Sequence, residues 1–293
     1  MNTNLRRMAT AVMLGVMAAG IASAAQGPAP QPAQPKPAVA AQPTVEAEPF
    51  QSGRPSLKTR PTGDRNIIMT VADALGFVRG MGAGSTNTLN RLQWLGSGSL
   101  TVDGRRSAVS RYSYAMSLSL NGAREDIQMT PAGGKPQRQV QAFLKDVAWD
   151  ETTPGVGAKS AGGDALLERR MKYLRTPFGF AQALLRADAT AVKITDPGAG
   201  GTISIEATLE GVPVRATLDR YYRPASISMT VAGQRVETRY SRYKDLHEYG
   251  VMFATRVVET VNGQPRLDLT IKDGRVASYL ILQPPGATAT GQP

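Results

Sequence analysis

The chain has 293 residues, a formal net charge of +11 at pH 7 and no cysteine. The lack of cysteine excludes disulfides, thiol nucleophiles, thiolate metal sites and an anchor attached through a lipidated cysteine. The excess of basic residues favours contact with acidic surfaces, such as an anionic membrane or a phosphate-bearing glycolipid surface, and the alternative is a soluble basic protein without such a partner.

The first 25 residues have the pattern of an export signal. Arg6 and Arg7 precede an apolar run from Ala11 to Ile21, and four small residues follow it. This run is too short to span a bilayer, and the small residues are typical of a cleavage site. We therefore expect a cleaved signal peptide at 1–25 and a soluble protein of the periplasm without a lipid anchor.

A proline-rich segment comes next. Residues 26–63 carry nine prolines among alanine and glutamine, with few large apolar side chains. Such a composition favours an extended and disordered linker. We expect one folded domain at 64–285, followed by a flexible tail at 286–293.

The folded part is predicted to open with a short amphipathic helix. Thr70 is placed to cap it, and Val71, Leu75, Val78 and Met81 recur at helical spacing. Glycines at 80, 82 and 84 are expected to end the helix.

From Leu92 onward the hydrophobic period changes to two, which predicts strands. The clearest example runs from Arg111 to Leu120. The same alternation returns after residue 202, where three dipeptides have the composition of tight turns: Glu210-Gly211, Ala232-Gly233 and Asn262-Gly263. Successive long strands joined by tight turns predict an antiparallel meander that curves around an apolar interior.

The apolar faces of these strands supply the candidate ligand-binding residues. These residues, each on the apolar face of its strand, are Tyr112, Tyr114, Met116, Leu118, Ile203, Ile205, Val214, Met229 and Phe253. The alternative is that the same residues pack a filled core. A connected apolar cavity of roughly several hundred cubic ångström would favour ligand binding, and a filled interior would favour the alternative.

A helical segment separates the two sets of strands. Asp164 is placed to cap a helix whose apolar stripe contains Leu166, Leu167, Met171 and Leu174. Pro177 and Gly179 are then expected to break this helix, and a second apolar helical segment begins at Phe178. We expect the segment to cover the open side of the curved sheet.

The first of these predicted helices carries a basic cluster. It consists of Arg169, Arg170, Lys172 and Arg175, which we expect to contact an anionic surface. The alternative is an ordinary solvated helix face.

The second half of the chain resembles a known superfamily. Tyr243-Lys244-Asp245, followed by Gly250 and Val251-Met252-Phe253, resembles a strand-turn-strand element of exported relatives of the LolA and LolB outer-membrane lipoprotein-sorting proteins. Ala254 stands where that element usually has proline. The resemblance covers roughly Ile67 to Pro285. It implies a mainly β fold with a few helices, in which a single curved antiparallel sheet forms an unclosed barrel, helices cover its open side, and an apolar cavity accepts acyl chains.

The sequence offers no usual catalytic constellation. His247 is the only histidine, and no Gly-x-Ser-x-Gly segment is present. Ser241 and Lys244 have Ser-x-x-Lys spacing but lie in a predicted strand, which places them on opposite faces. Glu125 and Asp126 are adjacent in a strand, so they also point apart. We expect neither an enzyme nor a bound cofactor or metal.

These observations predict a non-catalytic carrier or binding protein for a lipid or an acylated protein. We expect a monomer without a nucleic-acid partner. The alternative is a scaffold or interaction module of the cell envelope with a filled core and a basic docking face.

Overall fold

The computed structural model describes residues 61–77, 89–198, 200–247 and 249–286, which all belong to the unit Phe50–Pro293. The predicted signal peptide, residues 26–60 of the predicted linker and residues 287–293 of the predicted tail lie outside the described residues. Val78, Met81 and the glycines predicted to end the first helix lie outside them as well.

Within these ranges, a single antiparallel sheet of 13 strands dominates the fold. The first set of strands runs outward from the middle of the sheet to one edge and comprises β1 (Arg91–Val102), β2 (Arg105–Ser117), β3 (Gly122–Pro131), β4 (Gln137–Leu144), β5 (Val147–Glu151) and β6 (Lys159–Ser160).

The second set starts at the opposite edge and returns to the middle. It comprises β7 (Val192–Thr195), β8 (Ser204–Leu209), β9 (Val212–Leu218), β10 (Pro224–Val231), β11 (Gln234–Asp245), β12 (Met252–Val261) and β13 (Gln264–Val276). β13 pairs with β1, where Gly98 lies opposite Leu269. The short strands β6 and β7 form the two edges and do not pair, so the sheet is not closed. The predicted mainly β fold with an unclosed, barrel-like sheet is confirmed.

Helix α1 (Asp64–Leu75) begins six residues before the predicted cap at Thr70. Ile67 and Ile68 are buried on the same side as Val71, so the apolar stripe extends further toward the N-terminus than predicted. Thr70 lies inside the helix, where its hydroxyl donates to the carbonyl of Asn66 at 2.7 Å. The prediction that Thr70 caps this helix is therefore wrong.

Gly76 ends helix α1. Its φ of 99° lies in the left-handed region, and its N–H donates to the carbonyl of Asp73 at 2.9 Å. A Cβ atom there would also collide with the carbonyl of Gly250. The helix thus ends before the predicted residues Val78 and Met81.

Helices α2 (Gly163–Arg175) and α3 (Pro177–Arg186) form the predicted helical segment between the two sets of strands. Helix α2 contacts β4 and β5 on one side of the sheet and β10 on the other, so it crosses the open side. Asp164 lies in the first turn, while Gly162 occupies the N-cap position without a side-chain hydrogen bond. Asp164 is therefore not the cap that the sequence predicts.

Pro177 begins helix α3 instead of only ending α2. Thr176 is its N-cap, and the Thr176 hydroxyl accepts a hydrogen bond from the Gly179 N–H at 3.0 Å. Proline is favourable at the first helical position because its N–H would have no partner there and its φ is already helical.

The three predicted tight turns are confirmed. Asn262 and Gly263 connect β12 to β13 with φ values of 49° and 79°, as a type I′ hairpin requires. The dipeptides at 210–211 and 232–233 have the same pair of positive φ values.

The strand predicted from Arg111 to Leu120 ends earlier, at Ser117. A turn follows, in which the Leu118 N–H donates to the Asn90 carbonyl at 2.7 Å. Leu120 is 46% exposed, so the predicted alternation fails at its last position.

None of the helices in the described ranges is long and apolar enough to cross a membrane.

Candidate functional site

The junction between α2 and α3 lies over the inner face of the sheet and defines the candidate site. Arg175 is the last residue of α2, and Pro177 and Phe178 begin α3. The hydroxyl of Tyr240, on β11, donates to the Arg175 carbonyl at 2.6 Å. This bond satisfies a carbonyl at the helix end and ties the junction to the sheet.

An aromatic-lined cavity of about 40 Å³ lies beneath this junction. The Trp94 and Tyr114 rings stack at 4.9 Å between centroids, and the Phe178 and Phe253 rings lie 5.5 Å apart. The cavity wall also contains polar side chains, namely Lys172, Arg175, Thr238 and Glu259.

A larger groove of about 1340 Å³ lies at one end of the sheet, next to helix α2. Its walls come from the first turns of α2 and from three hairpins, those joining β1 to β2, β10 to β11 and β12 to β13. Arg175 and Leu267 line both the groove and the cavity. The two spaces are therefore adjacent and are separated in part by these two side chains.

A network of ion pairs surrounds this boundary. Glu259 Oε2 accepts from Arg175 Nη2 and from the Thr238 hydroxyl, both at 3.3 Å, and Glu259 Oε1 lies 3.7 Å from Arg266 Nε. Arg266 also contacts Glu168 at 3.2 Å.

A second carboxylate joins α2 to the sheet nearby. Lys172 Nζ lies 2.6 and 2.7 Å from the two carboxylate oxygens of Glu125, on β3. Helix α2 thus contributes both ion pairs and the buried side chains of Met171, Tyr173 and Leu174 to the interior of the fold.

Glu259 is kept ionised by its neighbours. Burial alone would raise the pKa of Glu259, but Arg175, Lys172 and Arg266 together outweigh burial and hold the pKa below its ordinary value.

Two tyrosines of the cavity wall behave differently from Glu259. Burial raises the pKa of Tyr112 and of Tyr114 well above the ordinary value, and nearby Glu125 raises both further. The phenols therefore stay protonated and can donate hydrogen bonds.

All nine predicted cavity residues are buried, but only three of them line the cavity. These three are Tyr112, Tyr114 and Phe253. The others pack elsewhere in the core and are Met116, Leu118, Ile203, Ile205, Val214 and Met229. Burial of these residues does not distinguish a ligand cavity from a filled core, because both alternatives require it. The cavity volume does distinguish them: about 40 Å³ is far smaller than the roughly 300–1,000 Å³ of ligand pockets. By that criterion the conformation described favours a filled interior.

The four predicted basic residues do not share one surface. Arg169 and Arg175 are buried, whereas Arg170 and Lys172 are partly exposed. Arg169 contacts Asp150, and Arg170 contacts Asp146 and Glu210. All four have carboxylate partners in their own chain, and contact with an anionic surface stays a prediction only for Arg170 and Lys172, because Arg169 and Arg175 are buried.

The polar residues of the inner face are not among the residues predicted from the sequence. Glu259 follows Val257 in the inward register of β12, and Thr238 lies between Val236 and Tyr240 in that of β11. Glu259 occupies a strand position at which the alternation predicts an apolar residue. This departure from the pattern was the feature of the sequence that could have indicated Glu259. Nothing in the sequence indicated that Arg175 would reach it.

The described residues contain no group of three histidine, cysteine, aspartate or glutamate side chains placed to hold a metal ion. His247 lies in a bend on the surface, 2.6 Å from Asp273. Glu125 contacts Lys172, whereas Asp126 contacts Arg138, so these adjacent carboxylates have separate partners.

Comparison with known proteins finds no matching protein-family model and no matching curated protein. What the fold and the site define is a mainly β protein with one open antiparallel sheet, helices across the open side, and an aromatic cavity beside a larger groove.

Proposed function

We propose that this chain is an exported, non-catalytic protein of the periplasm that binds or carries an amphiphile, either a lipid or an acylated protein. The observation that carries the proposal is the adjacency of the aromatic cavity and the groove, which share Arg175 and Leu267. An amphiphile needs this combination, because its chain must leave water while its head stays solvated. The resemblance of the sequence to lipoprotein-sorting relatives agrees with it.

The driving force would be burial of the alkyl chain. Each methylene that leaves water contributes about 0.8 kcal/mol, before the cost of ordering the ligand. The cavity of about 40 Å³ holds only a small part of such a chain. Binding would therefore use the groove as well, or require the α2–α3 junction to move away from the sheet.

A movement of this junction would disrupt two kinds of contact, namely the ion pairs beneath α2 and the apolar packing of Met171, Tyr173 and Leu174. Lys172 and Glu125 form a short ion pair, but the contact between Arg175 and Glu259 is long, at 3.3 Å. Water can replace ionic contacts, whereas separation of a dry apolar interface has no such compensation.

Trp94 offers a direct test, because it lines the cavity and only one other tryptophan, Trp149, is present in the chain. Titration of the Trp149→Phe variant with an uncharged alkyl glycoside, below its micellar concentration, should change the Trp94 emission saturably. The Ala254→Val variant adds two carbon atoms to the cavity wall and should weaken that binding. Ala108→Val makes the same change at an exposed position of β2 and should not.

The alternative is a scaffold or interaction module of the cell envelope, and the small cavity volume favours it. A scaffold with a filled core predicts no saturable change of Trp94 emission and equal behaviour of the two alanine variants. Native mass spectrometry of the protein purified without detergent should then give the mass of the chain alone.

A further inference from the structure

Arg175 is a buried cation with unused hydrogen-bond donors. Only 3% of the residue is exposed, and its one side-chain partner among the described residues is Glu259, at 3.3 Å from Nη2. Nε and Nη1 are buried and have no hydrogen-bond partner in the described part of the chain. A guanidinium carries five N–H groups, and a buried donor without an acceptor is costly. The buried guanidinium therefore has donors for which the described residues supply no acceptor.

The acceptors that surround Arg175 are already engaged. Glu259 Oε2 serves both Arg175 Nη2 and Thr238, and Glu259 Oε1 faces Arg266. The Tyr240 hydroxyl donates to the Arg175 carbonyl. None of these groups is positioned to satisfy Nη1.

The position of Arg175 determines what kind of molecule would supply the acceptor. Its side chain lies on the wall shared by the groove and the aromatic cavity, beside Leu267. An acceptor that displaces the surrounding atoms and reaches Nη1 would enter the region of the cavity that Trp94, Tyr112 and Tyr114 also line. We therefore expect the acceptor to be an atom of the ligand that lies where its polar head joins its apolar chain.

The charge of the network indicates an uncharged acceptor. Three cations and three carboxylates are linked by direct contacts, in the pairs Arg175 with Glu259, Arg266 with Glu168, and Lys172 with Glu125. The network is therefore electrically balanced. A free carboxylate bound to Arg175 would add a negative charge close to Glu259, which disfavours it, whereas a carbonyl oxygen adds none.

We propose that Arg175 binds the carbonyl oxygen of an acyl ester or acyl amide, so that the ligand is an acylated amphiphile without a free carboxylate at this point. The inference rests on the proposed amphiphile-binding function, and it specifies the chemical group that joins the head of the ligand to its apolar chain. An ester would come from a glycerolipid and an amide from an acylated protein.

Calorimetric titration with matched lauryl ligands below their micellar concentrations tests the inference. Monolauroyl glycerol and dodecyl glycerol ether differ chiefly in the carbonyl group, and we expect the ester to bind about tenfold or more tightly, as is typical of a hydrogen bond to a charged group. Sodium laurate should bind more weakly than the ester. Comparison of the ester with N-lauroyl glycinamide distinguishes the two sources.

Two variants assign the effect to Arg175. Arg175→Met should abolish the difference between ester and ether, whereas Arg215→Gln, at an exposed arginine of β9, should preserve it. Glu259→Gln gives the network a net positive charge, so it should improve the binding of laurate relative to the ester. This second variant keeps the inference testable even if Arg175→Met does not fold.

The outcomes separate the two proposals. If the wild-type protein binds ester and ether equally, the assignment of Arg175 is overturned while amphiphile binding stands. The same holds if laurate binds best to the wild-type protein. If no lauryl ligand binds, amphiphile binding itself fails and the inference fails with it.

Discussion

Arg169 and Trp149 are joined by a hydrogen bond in which Nη1 of the buried guanidinium donates to the main-chain carbonyl at 2.6 Å. The same nitrogen donates to the Ala142 carbonyl at 2.9 Å, and Nη2 contacts Asp150. One side chain of α2 thus bonds to β4 and β5. Arg169 therefore holds the helix on the first set of strands.

We predict that Arg169→Met lowers the free energy of unfolding by about 2–4 kcal/mol, because the buried carbonyls of Ala142 and Trp149 lose their side-chain donor. Urea denaturation followed by circular dichroism measures this loss. The neighbouring Arg170→Gln is the control, since Arg170 is 30% exposed and its ion pairs with Asp146 and Glu210 should contribute less than about 1 kcal/mol. Equal losses in the two variants would contradict the role given to Arg169.

The ionisation of Glu259 predicts how stability depends on pH. Its pKa in the folded state lies below the ordinary value of 4.5, so its stabilising contribution is complete above that value and decreases as the pH falls through the folded pKa. Thermal unfolding from pH 7 to pH 3 should show a wild-type loss below about pH 4.5 that is smaller in Glu259→Gln. The variant should be less stable than the wild type at pH 7, and the two should converge in acid. Parallel pH profiles would exclude this role for Glu259.

The ring of Phe253 depends on a glycine in the next strand. A Cβ atom at Gly274, on β13, would lie 2.6 Å from Cδ2 of the Phe253 ring. We predict that Gly274→Ala displaces the ring and destabilises the fold by about 1–3 kcal/mol, the usual cost of overpacking. Because Phe253 lines the cavity, the variant should also change the binding of the alkyl probe. Chemical denaturation and the Trp94 titration check the two effects.

The sequence was sufficient to predict the clearest alternating strands and three tight turns, because alternation and turn chemistry are local properties. Asn262 and Gly263 specify their hairpin through their own backbone preferences. The start of α1 was misplaced because Thr70 suits a cap and an inner helical position equally well in the sequence. Its hydroxyl instead bonds to the Asn66 carbonyl of its own helix.

The candidate site was less predictable because it depends on contacts between distant segments. Arg175 and Glu259 are 84 positions apart, and no local pattern relates them. The sequence placed Arg169, Arg170, Lys172 and Arg175 in one basic cluster. The structure separates them, because the helix buries Arg169 and Arg175 and leaves Arg170 and Lys172 partly exposed, although all four contact carboxylates of the chain.

The remaining surface cations give the last prediction. If Arg170 contacts an anionic surface, Arg170→Glu should bind more weakly than the wild type to vesicles that contain phosphatidylglycerol, and the difference should shrink at high salt. Arg239→Glu makes the same change in net charge at an arginine on β11 whose side chain is 68% exposed. Cosedimentation at low and high ionic strength should show a larger loss for Arg170→Glu. Equal losses would mean that the net charge of +11, and not a surface on α2, governs the attraction.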